Sequence, residues 1–147
     1  MYNVLILWAP DSAETRKVAE SVRAAFNEGK FKTTMKKADE SSIVDVAAAD
    51  MLIFGLQKSG SAEVPQEYSE LVRIFKGVTL AGRAAAVFSV GPEKASAKLK
   101  KSLKDTEVAL FEEDPLFAND KQDKTSDVSD WARKLAGFFQ EVRSARE

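Results

Sequence analysis

The sequence predicts an α/β domain of the doubly wound, three-layer type, built on a five-stranded parallel sheet. Three observations lead there. Four short apolar runs, at residues 4–8, 51–56, 84–90 and 108–111, are continuous rather than alternating, the pattern of strands buried on both faces. Stretches of helical periodicity lie between them. Strands that alternate with helices form βαβ crossovers, which cover both faces of a parallel sheet.

Each element has its own signal. Asn3-Val4-Leu5-Ile6-Leu7-Trp8 forms the first strand and runs into a polar turn, Ala9-Pro10-Asp11-Ser12-Ala13-Glu14-Thr15. Val18, Val22, Ala25 and Phe26 follow at i, i+4, i+7 and i+8, one face of the first helix. Residues 31–35 alternate in polarity and read as an edge strand. A short helical piece at 43–49 precedes the third strand. Tyr68, Leu71, Val72 and Phe75 make a second stripe, entered through Pro65, whose fixed φ suits a first helical turn. Ala95, Leu99 and Leu103 mark the helix after the fourth strand. Residues 112–125 form the longest irregular stretch, polar apart from Pro115, Leu116, Phe117 and Ala118. In the last helix Val128, Trp131, Leu135, Phe138 and Val142 face one way, with Ser126 as the expected N-cap. No linker, repeat or low-complexity tract interrupts the 147 residues, which predicts one domain over 1–147.

Composition narrows the chemistry. A chain that is 44% apolar and 31% charged is globular rather than disordered. A net charge of −1 and a pI of about 5.7 provide no global field for nucleic acid or an acidic membrane. Cysteine and histidine are both absent, which removes disulfides, thiol catalysis, the usual zinc sites and any Ser-His or Cys-His nucleophile. Without a nucleophile elbow, a hydrolase has no support either. The first residues carry no basic leader, and their apolar run of about five residues is far short of a membrane span. The expected location is the cytoplasm, and nothing in the sequence demands more than a monomer.

Sheets of this type bind ligands beyond the C-terminal ends of their strands. Three loops qualify: residues 9–15, 57–65 and 91–96. In the first, a strand, a tight turn and a helix N-terminus form the geometry that holds a phosphate on backbone N–H groups. The turn carries two hydroxyls, Ser12 and Thr15, and two carboxylates, Asp11 and Glu14, and has no glycine. Asp11 and Glu14 also read as a capping box, with Asp11 accepting from the Glu14 N–H and Glu14 reaching back. The protein's own anions would then neutralise the helix end. If the amides face a phosphate instead, an uncompensated carboxylate within ~4 Å opposes it by roughly 1–4 kcal/mol.

On these residues the chain resembles a short-chain flavodoxin. Trp8 stands where that family's first strand ends in an aromatic. Pro10-Asp11-Ser12-Ala13-Glu14-Thr15 stands at its Ser/Thr-x-Thr-Gly-x-Thr hexapeptide, with Ala19 and Val22 at the family's spacing. Asp50-Met51-Leu52-Ile53-Phe54-Gly55, followed by Gly60, is similar to the third strand and its flavin-side loop. Gly82-Arg83, Phe88 and Gly91 fall at the fourth strand and its loop, and Trp131-Ala132 matches a pair in the last helix. The resemblance spans nearly the whole chain and implies a flavodoxin-like sheet in the order 2-1-3-4-5. It further implies an FMN-binding electron-transfer protein, a one-electron carrier between partner proteins rather than a substrate-converting enzyme. The FMN phosphate would lie against Pro10, Asp11, Ser12, Ala13, Glu14 and Thr15, with the two hydroxyls donating. The ring would lie between Gln57, Lys58, Ser59 and Gly60 on one side and Ser89, Val90 and Gly91 on the other.

Several residues depart from the family pattern. Pro10 offers neither hydroxyl nor N–H. Neither the 57–65 nor the 91–96 loop carries an aromatic residue to stack on a flavin. The alternative expectation is a flavodoxin fold that has lost FMN and serves as a protein-binding or regulatory module. Lys58 reads as a solvated loop lysine, or as a positive charge that would raise the flavin's reduction potential. Lys94, Lys98 and Lys101, at i, i+4 and i+7 with Lys100 and Lys104 beside them, read as an exposed helix face or as a docking site for an acidic redox partner. Trp8 and Trp131 are expected in the core. A phospho-accepting receiver domain shares this topology but lacks its residues here. Asp50 opens the third strand instead of ending it, and Glu112-Glu113-Asp114-Pro115 follows the fifth.

Overall fold

A computed structural model describes residues 2–26, 30–58, 64–91, 93–117 and 125–146. Its strands are β1 (Tyr2–Ala9), β2 (Phe31–Lys37), β3 (Met51–Gln57), β4 (Ala84–Val90), β5 (Ala109–Leu110) and β6 (Leu116–Phe117). Its helices are α1 (Ala13–Ala25), α2 (Ile43–Ala48), α3 (Ser69–Phe75), α4 (Ala97–Lys104) and α5 (Thr125–Arg146). The strands run parallel in the order β2-β1-β3-β4-β5, as the resemblance implies.

Alternate residues of the central strands feed two separate cores. Val4, Ile6, Trp8, Met51, Ile53, Ala86, Phe88 and Val90 pack on one face against α1 and α5. Leu5, Leu7, Leu52, Phe54, Leu56, Ala85 and Val87 pack on the other against α2, α3 and α4. Burial on both faces is why these runs are continuous in hydrophobicity, and each fully buried Leu, Ile or Phe contributes ~1.5–3 kcal/mol. β2 is the edge strand, and Lys32 and Thr34 on it are exposed.

The fifth strand differs from expectation. The chain pairs with β4 at Ala109 and Leu110, leaves the sheet, and returns at Leu116 and Phe117 to pair with Ser89 and Val90. The intervening excursion is held from both sides. Asp114 accepts a hydrogen bond from Ser96 Oγ, and Trp131 Nε1 donates to Glu113 O at 3.0 Å. α5 also begins at Thr125, one residue ahead of the expected cap Ser126, and Phe139 takes the fully buried position expected of Phe138. Phe138 is partly buried, its ring centroid 5.2 Å from that of Phe111.

Two polar anchors fix the ends of the sheet. At the N-terminal end, Arg83 donates to Ala49 O and Ala47 O at 3.0 and 2.8 Å, satisfying carbonyls at the end of α2. Under the C-terminal end, Tyr68 shares its buried hydroxyl proton between Gly55 O and Leu7 O, at 2.7 and 3.1 Å. That contact sets where α3 starts, and hence where the 57–65 loop must finish.

Candidate phosphate turn and the loops beside it

β1 delivers the chain to the turn with its last residue, Ala9. Ser12, in extended conformation (φ −127°, ψ 152°), is the N-cap of the 13-residue α1, and its Oγ accepts from Thr15 N at 3.2 Å. A hydroxyl in this position satisfies one of the four orphan N–H groups of a helix start. The expected capping box on Asp11 and Glu14 does not form. The cap lies one residue later, on Ser12, and the Asp11 carboxylate instead meets Lys37 Nζ at 3.3 Å, on the last residue of the neighbouring strand. Lys37 also pairs with Glu40 at 3.1 Å, and Glu40 together with Asp11 holds its ammonium above the ordinary lysine value.

The second contributor is Gln57, the last residue of β3. Its Oε1 accepts from Thr15 Oγ1 at 2.9 Å and from Ser12 Oγ at 3.1 Å, while the two hydroxyl oxygens lie 2.9 Å apart. Two hydroxyl protons are available for these three O···O contacts, and Gln57 Oε1 is an acceptor within reach of both. The other end of the same carboxamide, Nε2, donates to Glu14 Oε2 at 2.9 Å. Glu14, an exposed residue, therefore reaches across the turn to Gln57. A second carboxylate enters from the far side, where Glu67 Oε2 accepts from Asp11 N at 3.3 Å.

Gly91 closes the arrangement from β4. It is buried with φ +108°, a conformation that favours glycine, and a Cβ there would stand 3.3 Å from Gln57 Nε2. Ser89 and Val90 turn their side chains inward. Ser89 Oγ accepts from Ala95 N at 3.0 Å, bracing the third loop, and Val90 lies in the α1/α5 core. Lys58 Nζ meets Glu93 Oε1 at 3.0 Å, so an ion pair spans the second and third loops. Ser59 and Gly60 lie outside the described residues. Outside the first turns of α1 is an open hollow of about 520 Å³, lined by Asp11, Ser12, Ala13, Arg16, Lys17 and Glu20.

At the level of sequence, no protein-family model and no curated protein matches the chain. Solved structures do match. Oxidised flavodoxin 2 from Bacillus cereus superposes with a TM-score of 0.83 at 20% identity, over 92% of this chain and 98% of that one. A short-chain flavodoxin associated with a bacterial microcompartment gives 0.81 at 14% identity, over 95% and 99%. Fusobacterium nucleatum flavodoxin bound to flavin mononucleotide gives 0.78 at 12% identity, again over 95% and 99%. The fold is the flavodoxin fold.

On that flavodoxin scaffold, the turn at residues 10–15, Gln57, Lys58 and Gly91 gather at the C-terminal end of the sheet, where the sequence placed them. Trp8 and Trp131 are core residues, 5% and 4% exposed, so neither serves as a stacking surface. α4 begins only at Ala97, so Lys94 precedes the helix and does not open a helical lysine stripe; Lys98 and Lys101 are exposed on the helix, and Lys94 and Lys100 turn toward Asp114 at 3.8 and 3.7 Å. Sequence reasoning missed Lys37 and Glu67, which come from β2 and from the turn before α3. Neither lies in a loop that the flavodoxin pattern marks, and only the fold brings them beside Asp11. Among the described residues no helix is long and apolar enough to cross a membrane.

Proposed function

We infer that this chain is an FMN-binding carrier that passes electrons one at a time between partner proteins and converts no substrate itself. The observation that carries this reading is the convergence of the Ser12 and Thr15 hydroxyls on a single acceptor at the N-terminus of α1. A phosphate oxygen makes the same demand on the two donors, and the helix end favours its charge. The residues present fit such a group. The acceptor now in place is a neutral carboxamide, which an anion can displace for the cost of hydrogen bonds worth ~1 kcal/mol each. Of the three carboxylates around the turn, Asp11 is already drawn off by Lys37. Glu14 and Glu67, which holds the Asp11 N–H at 3.3 Å, are the unfavourable elements and must turn away.

FMN, when bound, supplies the one-electron chemistry; the chain's part is to hold it and shape its surroundings. Ser12 and Thr15 would donate to the phosphate beside backbone N–H groups of the first helical turn. Gln57 and Lys58 would border the ring on one side and Gly91 with its neighbours on the other. Lys58 borders that region as half of an ion pair with Glu93, so its charge would reach the flavin largely compensated. The exposed basic face of α4, with Lys98 and Lys101 beside Lys94, would receive an acidic redox partner.

One observation favours a second reading, a flavodoxin fold without cofactor that acts as a protein-binding module. The turn is satisfied from within, by Gln57 on the hydroxyls and Glu67 on the Asp11 N–H. Titration of the purified protein with FMN, read by quenching of flavin fluorescence, separates the two. Saturable binding with a sub-micromolar constant supports the carrier. Absence of binding at tens of micromolar removes it and leaves the module.

A further inference from the structure

We propose that Gln57 is the gate of the anion site: its carboxamide holds the Ser12 and Thr15 hydroxyls in the resting protein and must turn away before a phosphate monoester can bind. The proposal rests on the turn being an anion site and names the residue that controls entry to it.

The argument starts from donors and acceptors. Each hydroxyl has one proton, and both are directed at Gln57 Oε1 or at each other, within 2.9–3.1 Å. An amide oxygen and a phosphate oxygen are both acceptors and cannot share those protons. Nor can Gln57 adapt by rotating its amide end over end. That rotation would set Oε1 against the Glu14 carboxylate, now bonded to Nε2 at 2.9 Å, and would face two acceptors toward each other. Glu14 thereby fixes the orientation in which the gate is shut. Gly91 leaves the carboxamide its present place, since a Cβ at that position would stand 3.3 Å from Nε2. When Gln57 swings out, that one side-chain movement exposes both hydroxyl donors.

The test compares the full-length protein with Gln57→Ala and with Gln57→Met, which keeps the length but not the hydrogen bonds. Inorganic phosphate is followed through the backbone amide resonances of residues 12–15, and FMN and riboflavin through flavin fluorescence. Both variants should bind phosphate and FMN about tenfold more tightly than the parent, the loss of one to two net hydrogen bonds, with riboflavin little changed. Equal or weaker binding of phosphate by the variants overturns the gate. So does an equal gain for FMN and riboflavin, which would put Gln57 at the ring. If no protein binds FMN but the variants gain phosphate, the gate stands and the carrier reading fails. If phosphate moves nothing in any of the three, the gate is wrong.

Discussion

The ring of Phe88 fills the space in which a side chain on Gly55, its register partner on the neighbouring strand, would have to stand. A Cβ built on Gly55 meets Cζ, Cε1 and Cε2 of that ring together, the latter two at 2.9 and 2.6 Å. The ring has nowhere to retreat, because its centroid lies 5.9 Å from those of both Trp131 and Phe117. Gly55→Ala should therefore destabilise the fold by ~1–3 kcal/mol or more through overpacking. Urea unfolding followed by tryptophan fluorescence measures it. Adding Phe88→Leu should recover part of the loss, a non-additivity that independent sites would not show.

Tyr68 carries a different kind of anchor. Its buried hydroxyl bonds two strand carbonyls, and removing it in Tyr68→Phe should cost ~1–3 kcal/mol. Burial holds the phenol well above its ordinary value of 10.0. A group whose pKa is raised on folding stabilises fully below its unfolded pKa and loses that contribution as pH rises toward the folded one. Stability of the parent should thus hold to pH 10 and decline above it, and the phenylalanine variant should show a shallower alkaline decline. Equal slopes in the two proteins would contradict the buried-phenol account.

These anchors also show what could be read from sequence and what could not. β1, β3 and β4 were legible because burial on both faces writes a continuous apolar run, and β4 begins and ends where its run does. The split fifth strand was not, since Leu116 and Phe117 are too few to show a period and the residues before them are acidic. Phe138 and Phe139 are adjacent, so a helical stripe drawn from sequence can miss by one position. At the site, Ser12 and Thr15 were legible because local spacing places hydroxyls at a helix start. Gln57 as their acceptor was not, because that contact joins residues 42 and 45 positions apart. Nor was the partner of the Asp11 carboxylate, a lysine 26 positions away.

Asp114, in the excursion of the fifth strand, should make stability depend on acid pH. Burial pushes its carboxyl up, but the Ser96 hydrogen bond together with Lys100 and Lys94 outweighs this and holds it below the ordinary 3.8. A carboxylate depressed on folding contributes stability above its unfolded pKa and loses it as pH falls through the folded one. Asp114→Asn should cost ~1.5–3 kcal/mol at neutral pH, the range for hydrogen bonds to a charged group. The gap between parent and variant should close as pH falls below 3.8. A gap that persists unchanged in acid would mean that shape, not charge, holds the excursion.

Ser12 and Thr15 share one acceptor but should respond differently to mutation. Ser12→Ala removes the N-cap as well as a phosphate donor, so it should lose ~0.5–2 kcal/mol of stability as well as FMN affinity. Thr15→Val keeps the shape of a fully buried side chain and leaves Ser12 Oγ bonded to Gln57 Oε1, so its cost to the fold should stay under ~1 kcal/mol. Its cost to FMN should be larger, about 10- to 100-fold, because a hydrogen bond to a charged phosphate is lost. Riboflavin, which lacks the phosphate, should bind both variants as it binds the parent. FMN titrations beside urea denaturation give both quantities for each protein. If Thr15→Val leaves FMN affinity intact, the hydroxyl pair does not hold the phosphate, and its bonds to Gln57 belong to the architecture of the turn alone.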